Sequence, residues 1–522
     1  MRCLALCGSL AAVLPASAQQ PAVRGSFITT DGRDTTSIER FSMVGDRLEG
    51  ELLFRRSPWQ AYRLAGGSGG EPRTFDLTVR PAFAPPSSPP TESRRLVFAG
   101  DSVSETRTLP DTTTHRQRYA GGGAVPLIYP SLALLEVATR HARLTADTAL
   151  RMPFLEVGQR ERQFLGSLAW IGADSARVDL GGVEFRLAVD ADGRVGGGYV
   201  PSLRLTIRRE DRWVELSAPD YSAPAGASYA AEPVRIPTAG GHWLAATLTR
   251  PTGGSGPIPV AITIPGSGLL DRDGSADGFG GYRPFREMAE ALAARGGALL
   301  RYDKRGVGGS SPGVGGTTEA LAEDVRAMLR FLRGRPDLAA DRIVLIGHSE
   351  GGLIAPMVAA SDPEGVRAVV LLAGPAWTGR TVLRSQILSG LARTQPALDE
   401  AQRDSVAAQR LARIEAGAAP GSWMRFFLEY DPLPTARRVR VPVLIIQGQT
   451  DDNVTPEQAA LLAGAMREAG NTRVTVHLLP NVNHMLLEDP DGRGRSWLSF
   501  PVKRMSTEVL RLVSDWVARV SP

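Results

Sequence analysis

Cysteine is nearly absent from this 522-residue sequence, occurring only at Cys3 and Cys7. Both lie in the stretch MRCLALCGSLAAVLPASAQQ, where Arg2 precedes an apolar run from Cys3 to Leu14 and Ala16-Ser17-Ala18 follows. That layout predicts a secretory signal peptide over residues 1–18, cleaved after Ala18. The mature chain would be exported, periplasmic or extracellular, and would contain no cysteine. Disulfides and a thiol nucleophile are then excluded. Cys7 is a candidate for lipidation, but Leu6 stands where such processing prefers a small residue.

Lysine is the second scarcity. Of 60 basic residues only Lys304 and Lys503 are lysines, and 55 acidic residues nearly balance the total. A nucleic-acid binder concentrates positive charge on one face or tail. Here arginine is spread over the whole length, which indicates a compositional bias and no nucleic-acid partner. Beyond the leader no apolar run approaches the ~18 residues that cross a bilayer, so no transmembrane segment is expected in the mature chain. No repeat has solenoid or propeller spacing, and no His/Asp/Glu cluster has metal-ligand spacing. The glycines at Gly306–Gly309 lack the Gly-x-x-x-x-Gly-Lys pattern of a phosphate loop. Neither a metal nor a cofactor is expected.

What is present divides into two grammars. Residues 19–225 read as a mainly antiparallel β domain, with strands at Gly25–Thr30, Leu48–Phe54, Thr74–Val79, Arg95–Ala99, Arg177–Leu180 and Leu203–Arg208. Turn clusters at Asp31-Gly32, Gly67–Gly70 and Asp192-Gly193 separate them, and Pro85–Pro90 is a loop. Helical spacing of apolar residues runs from Ile128 to Leu144. This half groups no catalytic side chains, and its expected role is to shape a cleft or to bind something. A linker over residues 218–229 leads into the second half, 226–522. There strands such as Val260–Ile264, Ala298–Tyr302, Ile343–Ile346, Ala368–Leu372 and Val443–Ile446 alternate with helices such as Pro284–Arg295, Thr317–Arg333 and Pro456–Glu468. The alternation predicts a doubly wound, mostly parallel sheet covered on both faces. Helical segments over about residues 380–435 interrupt it and read as a lid inserted over the sheet edge.

The strand Ile343–Ile346 runs into Gly347-His348-Ser349-Glu350-Gly351, and a helix follows. A Gly-x-Ser-x-Gly pattern between a strand and a helix projects the serine from a tight turn toward a base, so Ser349 is the candidate nucleophile. In this architecture the order is serine, acid, histidine. Of the six histidines only His477 and His484 come late enough. His477 lies inside a strand, and His484 lies in the loop after it. His484 is therefore the candidate general base, and His348 is expected to point elsewhere. Asp451 and Asp452 follow the strand Val443–Ile446. Asp451 is preferred as the acid that orients the imidazole, and Asp452 is left as a turn or capping carboxylate. The preceding strand ends in Ala373-Gly374-Pro375-Ala376-Trp377, with no acid. Backbone N–H groups of Ser267 and Glu350 are the candidate oxyanion hole.

Taken together, GSGLLDRD at Gly266–Asp273, YDKRG at Tyr302–Gly306, GHSEGG at Gly347–Gly352, YDP at Tyr430–Pro432 and LPNVNH at Leu479–His484 resemble a group of bacterial α/β-hydrolases. That group includes carboxylesterases and serine aminopeptidase-like relatives, and the resemblance covers roughly residues 230–520. It implies cofactor-free ester hydrolysis, often on short acyl chains. Similar proteins often carry Pro-Gln where this chain has Leu269-Leu270, which implies a more apolar mouth.

Gly268, Trp377 and Trp423 are expected to touch substrate. Phe426, Phe427 and Tyr430 line the same pocket or pack the lid. Asp303 and Arg305 read as a structural ion pair that fixes the turn after them, and Arg272 reads as structural too. The Glu350 side chain reads as solvated at a helix start, where negative charge is favourable. The leading function is an exported carboxylic-ester hydrolase acting on a small-molecule ester. A serine exopeptidase on short peptides, with Glu350 facing a substrate amine, is the second reading, and a non-catalytic binding module on the same fold is the third. Nothing in the pattern specifies an oligomer.

Overall fold

The computed structural model describes residues 22–520, apart from positions 33, 67–71, 84–87, 122, 146–148, 158–161, 254–256, 312–314, 491, 493–496 and 498–499. The expected leader with Cys3 and Cys7, the expected turn at Gly67–Gly70 and part of the Pro85–Pro90 loop lie outside the described residues. Among the described residues no helix is long and apolar enough to cross a membrane.

The N-terminal half forms one sheet of fifteen strands, from Val23–Asp31 to Leu205–Glu210. Two antiparallel meanders meet where Val23–Asp31 pairs with Leu205–Glu210. The pairing of Val125–Leu127 with Ala149–Glu156 is parallel. Period-two burial is clear in Glu92–Ala99, where Arg94, Leu96 and Phe98 turn inward while Arg95 and Val97 face out. The inward residues of both meanders share one core with the helix Leu132–Thr145. A buried carboxylate from the sheet starts that helix. Glu39 accepts the N–H groups of Leu132 at 2.6 Å and Ala133 at 3.0 Å, two of the donors a helix start leaves without an intrahelical acceptor. Burial pushes the Glu39 carboxyl above the ordinary glutamate range.

The C-terminal half is built on a second sheet of eight strands. Tyr229–Pro237, Trp243–Pro251 and Ala298–Tyr302 pair antiparallel in turn. From Ala298–Tyr302 onward the pairing is parallel, through Ile258–Ile264, Leu338–His348, Ala368–Leu372, Val443–Gly448 and Val474–Leu479. Strands such as Ala368–Leu372 are buried at every residue. A parallel sheet needs this because helices cover both of its faces. One face packs on Thr318–Arg333, Gly351–Ser361 and Glu457–Glu468, and the other on Pro284–Ala293 and Thr507–Val520. Helices Gly379–Thr394, Glu400–Gly417, Trp423–Glu429 and Pro432–Ala436 fill the interruption between Leu372 and Val443.

A buried ion pair joins the halves. Arg56, in the turn after the strand Arg47–Phe54, places its Nε 2.6 Å from Asp271 Oδ2, with both side chains almost fully buried. Asp271 is also the knot of its own loop. Its Oδ1 accepts the N–H groups of Asp273 and Ser275, and its Oδ2 also accepts the Tyr221 hydroxyl from the linker. Removing one partner of a buried pair typically costs about 3–5 kcal/mol. The β domain is therefore keyed by charge to the loop that follows the strand Ile258–Ile264.

Candidate active site

The strand Leu338–His348 lies at the centre of the parallel sheet, so its C-terminal end opens onto the middle of the domain. Ser349 follows it with φ +53, in the left-handed region that non-glycine residues rarely adopt. The Ser349 N–H donates to Leu372 O at 2.9 Å and pins the turn. The helix starts immediately after, and the backbone closes so tightly that a Cβ at Gly347 would sit 2.1 Å from Gly351 O.

Three side chains named from sequence form a row of hydrogen bonds. His484 Nε2 is 3.1 Å from Ser349 Oγ, and His484 Nδ1 is 2.9 Å from Asp451 Oδ2. An ionised carboxylate can only accept, so Nδ1 carries the proton and Nε2 accepts from the serine hydroxyl. Asp451 is buried, and its carboxylate also accepts the N–H groups of Asn453 and Val454, each at 2.9 Å, and Gln447 Nε2 at 3.0 Å. Its neighbour Asp452 pairs instead with Arg393 of the helix Gly379–Thr394.

His348 does not point away, as its place beside the nucleophile suggested. Its ring borders the cavity, and its Nε2–H donates to the backbone oxygen of His484 at 2.8 Å. Burial, reinforced by the nearby His484, pushes its pKa down to about 4, so it is neutral at ordinary pH. Sequence spacing gave no sign of this contact, because the side-chain direction on a tight turn is set by the strained backbone.

The loop Pro265–Gly268 lies against the nucleophile. A Cβ on Gly266 would come within 3.1 Å of Ser349 Cβ, so any larger residue there would push on the nucleophile. Among the described residues the N–H groups of Ser267 and Glu350 donate to no protein acceptor. The Glu350 side chain is not solvated. It is 1% exposed, and its Oε1 accepts Thr318 Oγ1 at 2.8 Å and Trp423 Nε1 at 2.5 Å. Its Oε2 lies 3.5 Å from Lys304 Nζ. The expected Asp303–Arg305 pair does not form either. Asp303 binds Arg272 and Arg305 binds Asp324, because each finds a better-placed partner in another loop or helix.

A cavity of about 280 Å³ opens beside Ser349 and His484. Trp423 and Phe427 of the helix Trp423–Glu429 line it, together with Phe279, Phe285, Leu270 and Met485. Phe279 and Phe285 were not singled out from sequence; Phe285 lies at the start of the helix Pro284–Ala293. Trp377 does not line this cavity; its backbone N–H is held by Gln458 Oε1 at 3.3 Å. Gly268 does not line it either. It borders a second hollow of about 550 Å³, walled in part by Pro58, Pro81 and Thr91 of the β domain.

Residues 278–491 match the family described as Serine aminopeptidase, S33. The chain is similar to Esterase EstD of Thermotoga maritima, 26% identical over 353 residues, which is 66% of this chain and 77% of that protein. Among solved structures it is similar to the Pyrococcus furiosus esterase Pf2001, with TM-score 0.41 and 19% identity, covering 60% of this chain and 97% of that one. It is also similar to Est1E of Butyrivibrio proteoclasticus, solved with ferulic acid bound, with TM-score 0.38 and 18% identity, covering 55% of this chain and 96% of that one. The sheet order, the turn at Ser349 and the family match make the C-terminal half an α/β-hydrolase. Within that class the chain is similar to serine hydrolases named as esterases.

Proposed function

We propose that the protein hydrolyses small carboxylic esters through an acyl-enzyme on Ser349. The observation that carries this is the continuous row Ser349–His484–Asp451, with links of 3.1 and 2.9 Å. In this reading His484 takes the Ser349 proton as Oγ attacks the carbonyl, and Asp451 holds the imidazole in the tautomer that can accept it. The N–H groups of Ser267 and Glu350 receive the oxyanion. His484 then returns the proton to the leaving alcohol and activates the water that releases the acid.

The environment of Glu350 favours an ester over a peptide with a free amine. Its Oε1 already accepts from Thr318 and Trp423, and the Lys304 ammonium 3.5 Å from Oε2 balances its charge, which weakens its pull on a substrate ammonium group. The cavity is lined mainly by apolar and aromatic side chains, which suits a neutral acyl group. A panel of nitrophenyl esters and aminoacyl nitroanilides tests the choice. Turnover of the esters with background rates on the anilides is expected, and activity confined to the anilides would overturn the reading.

The leader supports export. N-terminal sequencing of protein recovered from the producing cell should begin at Gln19, and a retained Met1 would refute processing.

A further inference from the structure

Lys304 is the one lysine near the site, in a chain that uses arginine at every other basic position except Lys503. It is 7% exposed, and its Nζ donates to Gly266 O at 2.9 Å. That oxygen belongs to the peptide unit whose other end is the Ser267 N–H. In a planar trans peptide the carbonyl and the N–H point in opposite directions. An ammonium that fixes the oxygen therefore fixes the N–H on the opposite side of the same plane. The loop already presses on the nucleophile through Gly266, and the Ser267 N–H has no protein acceptor among the described residues.

We infer that Lys304 is a positioning residue that orients and polarises the Gly266–Ser267 peptide as an oxyanion donor. The inference rests on the proposed reading of Ser267. A cation on a carbonyl oxygen draws charge from the amide and strengthens its N–H as a donor, as charge-assisted and cooperative hydrogen bonds do. The same ammonium lies 3.5 Å from the carboxylate of Glu350, whose own N–H is the second donor. One buried cation thus links the residues that supply both donors. Glu350 balances its charge, so the cation adds no net charge to the site. Burial lowers the Lys304 pKa and Glu350 opposes that shift. A compact ammonium can serve one carbonyl oxygen and one carboxylate oxygen at once, whereas the planar fork of arginine is shaped for two parallel bonds to one partner. Thr318 and Trp423 already occupy the other oxygen of Glu350, which leaves such a fork no carboxylate edge to grip.

The test uses full-length protein carrying Lys304→Met, and Lys304→Met with Glu350→Gln. The double variant removes the buried carboxylate that the single variant leaves unpaired. Active sites are counted by fluorophosphonate titration. Turnover per titrated site is then measured with a nitrophenyl ester, and inhibition with a matched trifluoromethyl ketone, whose adduct oxygen occupies the oxyanion position. In both variants kcat per site should fall by roughly 10- to 100-fold, less than the 10²–10³ of deleting a donor, with KM within about twofold. The ketone Ki should rise by the same factor as kcat falls. A merely structural ion pair would lower the fraction of titratable sites and leave both constants at wild-type values, which overturns the inference. A fall in kcat with an unchanged ketone Ki also overturns it. Failure of the underlying reading is seen separately, in wild-type protein that the fluorophosphonate does not label at Ser349.

Discussion

Ser349→Ala is expected to lower kcat for ester hydrolysis by roughly 10⁵- to 10⁶-fold and to abolish fluorophosphonate labelling. The methyl group keeps the backbone at φ +53 no more strained than serine does, so the turn and the sheet should survive. What disappears is the hydroxyl oxygen 3.1 Å from His484 Nε2 that would form the acyl bond. Oxyanion donors and substrate binding alone still leave about 10³–10⁴-fold over the uncatalysed rate in enzymes of this type. The residual rate should therefore be small but measurable, with KM little changed. Unchanged turnover and unchanged labelling would place the nucleophile elsewhere in the chain.

How far the molecule can be read from its sequence depends on how locally each feature is specified. The parallel strands announce themselves because burial on both faces forces continuous apolar runs, as in Val344–Ile346 and Val369–Leu372. Edge strands of the β domain carry no such mark. Thr114–Ala120 reads THRQRYA, is exposed along nearly its whole length, and is held by backbone pairing to Ser102–Thr108. The helix expected from Ile128 begins at Leu132, because Pro130 interrupts the spacing and Glu39, 93 residues earlier, supplies the cap. The same division runs through the site. Ser349, Asp451 and His484 could be named because strand ends and chain order constrain them. The burial of Glu350 could not be, since its partners come from Thr318, Lys304 and Trp423 on three separate elements. Phe279 and Phe285 escaped notice because an apolar residue that lines a cavity has the same sequence signature as one in the core. The docking of Arg56 on Asp271 escaped for a similar reason, as 215 residues separate two charges with no local pattern.

Asp451→Asn should cost about 10⁴-fold in kcat, although it changes one atom. The loss follows from the hydrogen bonds around the carboxylate. Oδ1 accepts the N–H groups of Asn453 and Val454, each at 2.9 Å, so the carbonyl oxygen of an asparagine must take that position. Its NH₂ then replaces Oδ2, facing His484 Nδ1 at 2.9 Å and Gln447 Nε2 at 3.0 Å, where the native carboxylate accepts from both. A donor against Nδ1 forces that nitrogen to accept and moves the imidazole proton to Nε2. The nitrogen that faces Ser349 Oγ then has no lone pair for the serine proton. Fluorophosphonate labelling needs the same proton transfer and should slow in parallel with turnover, while KM stays near its wild-type value. A loss below about tenfold, or labelling at the wild-type rate, would show that Asp451 does not set the tautomer of His484.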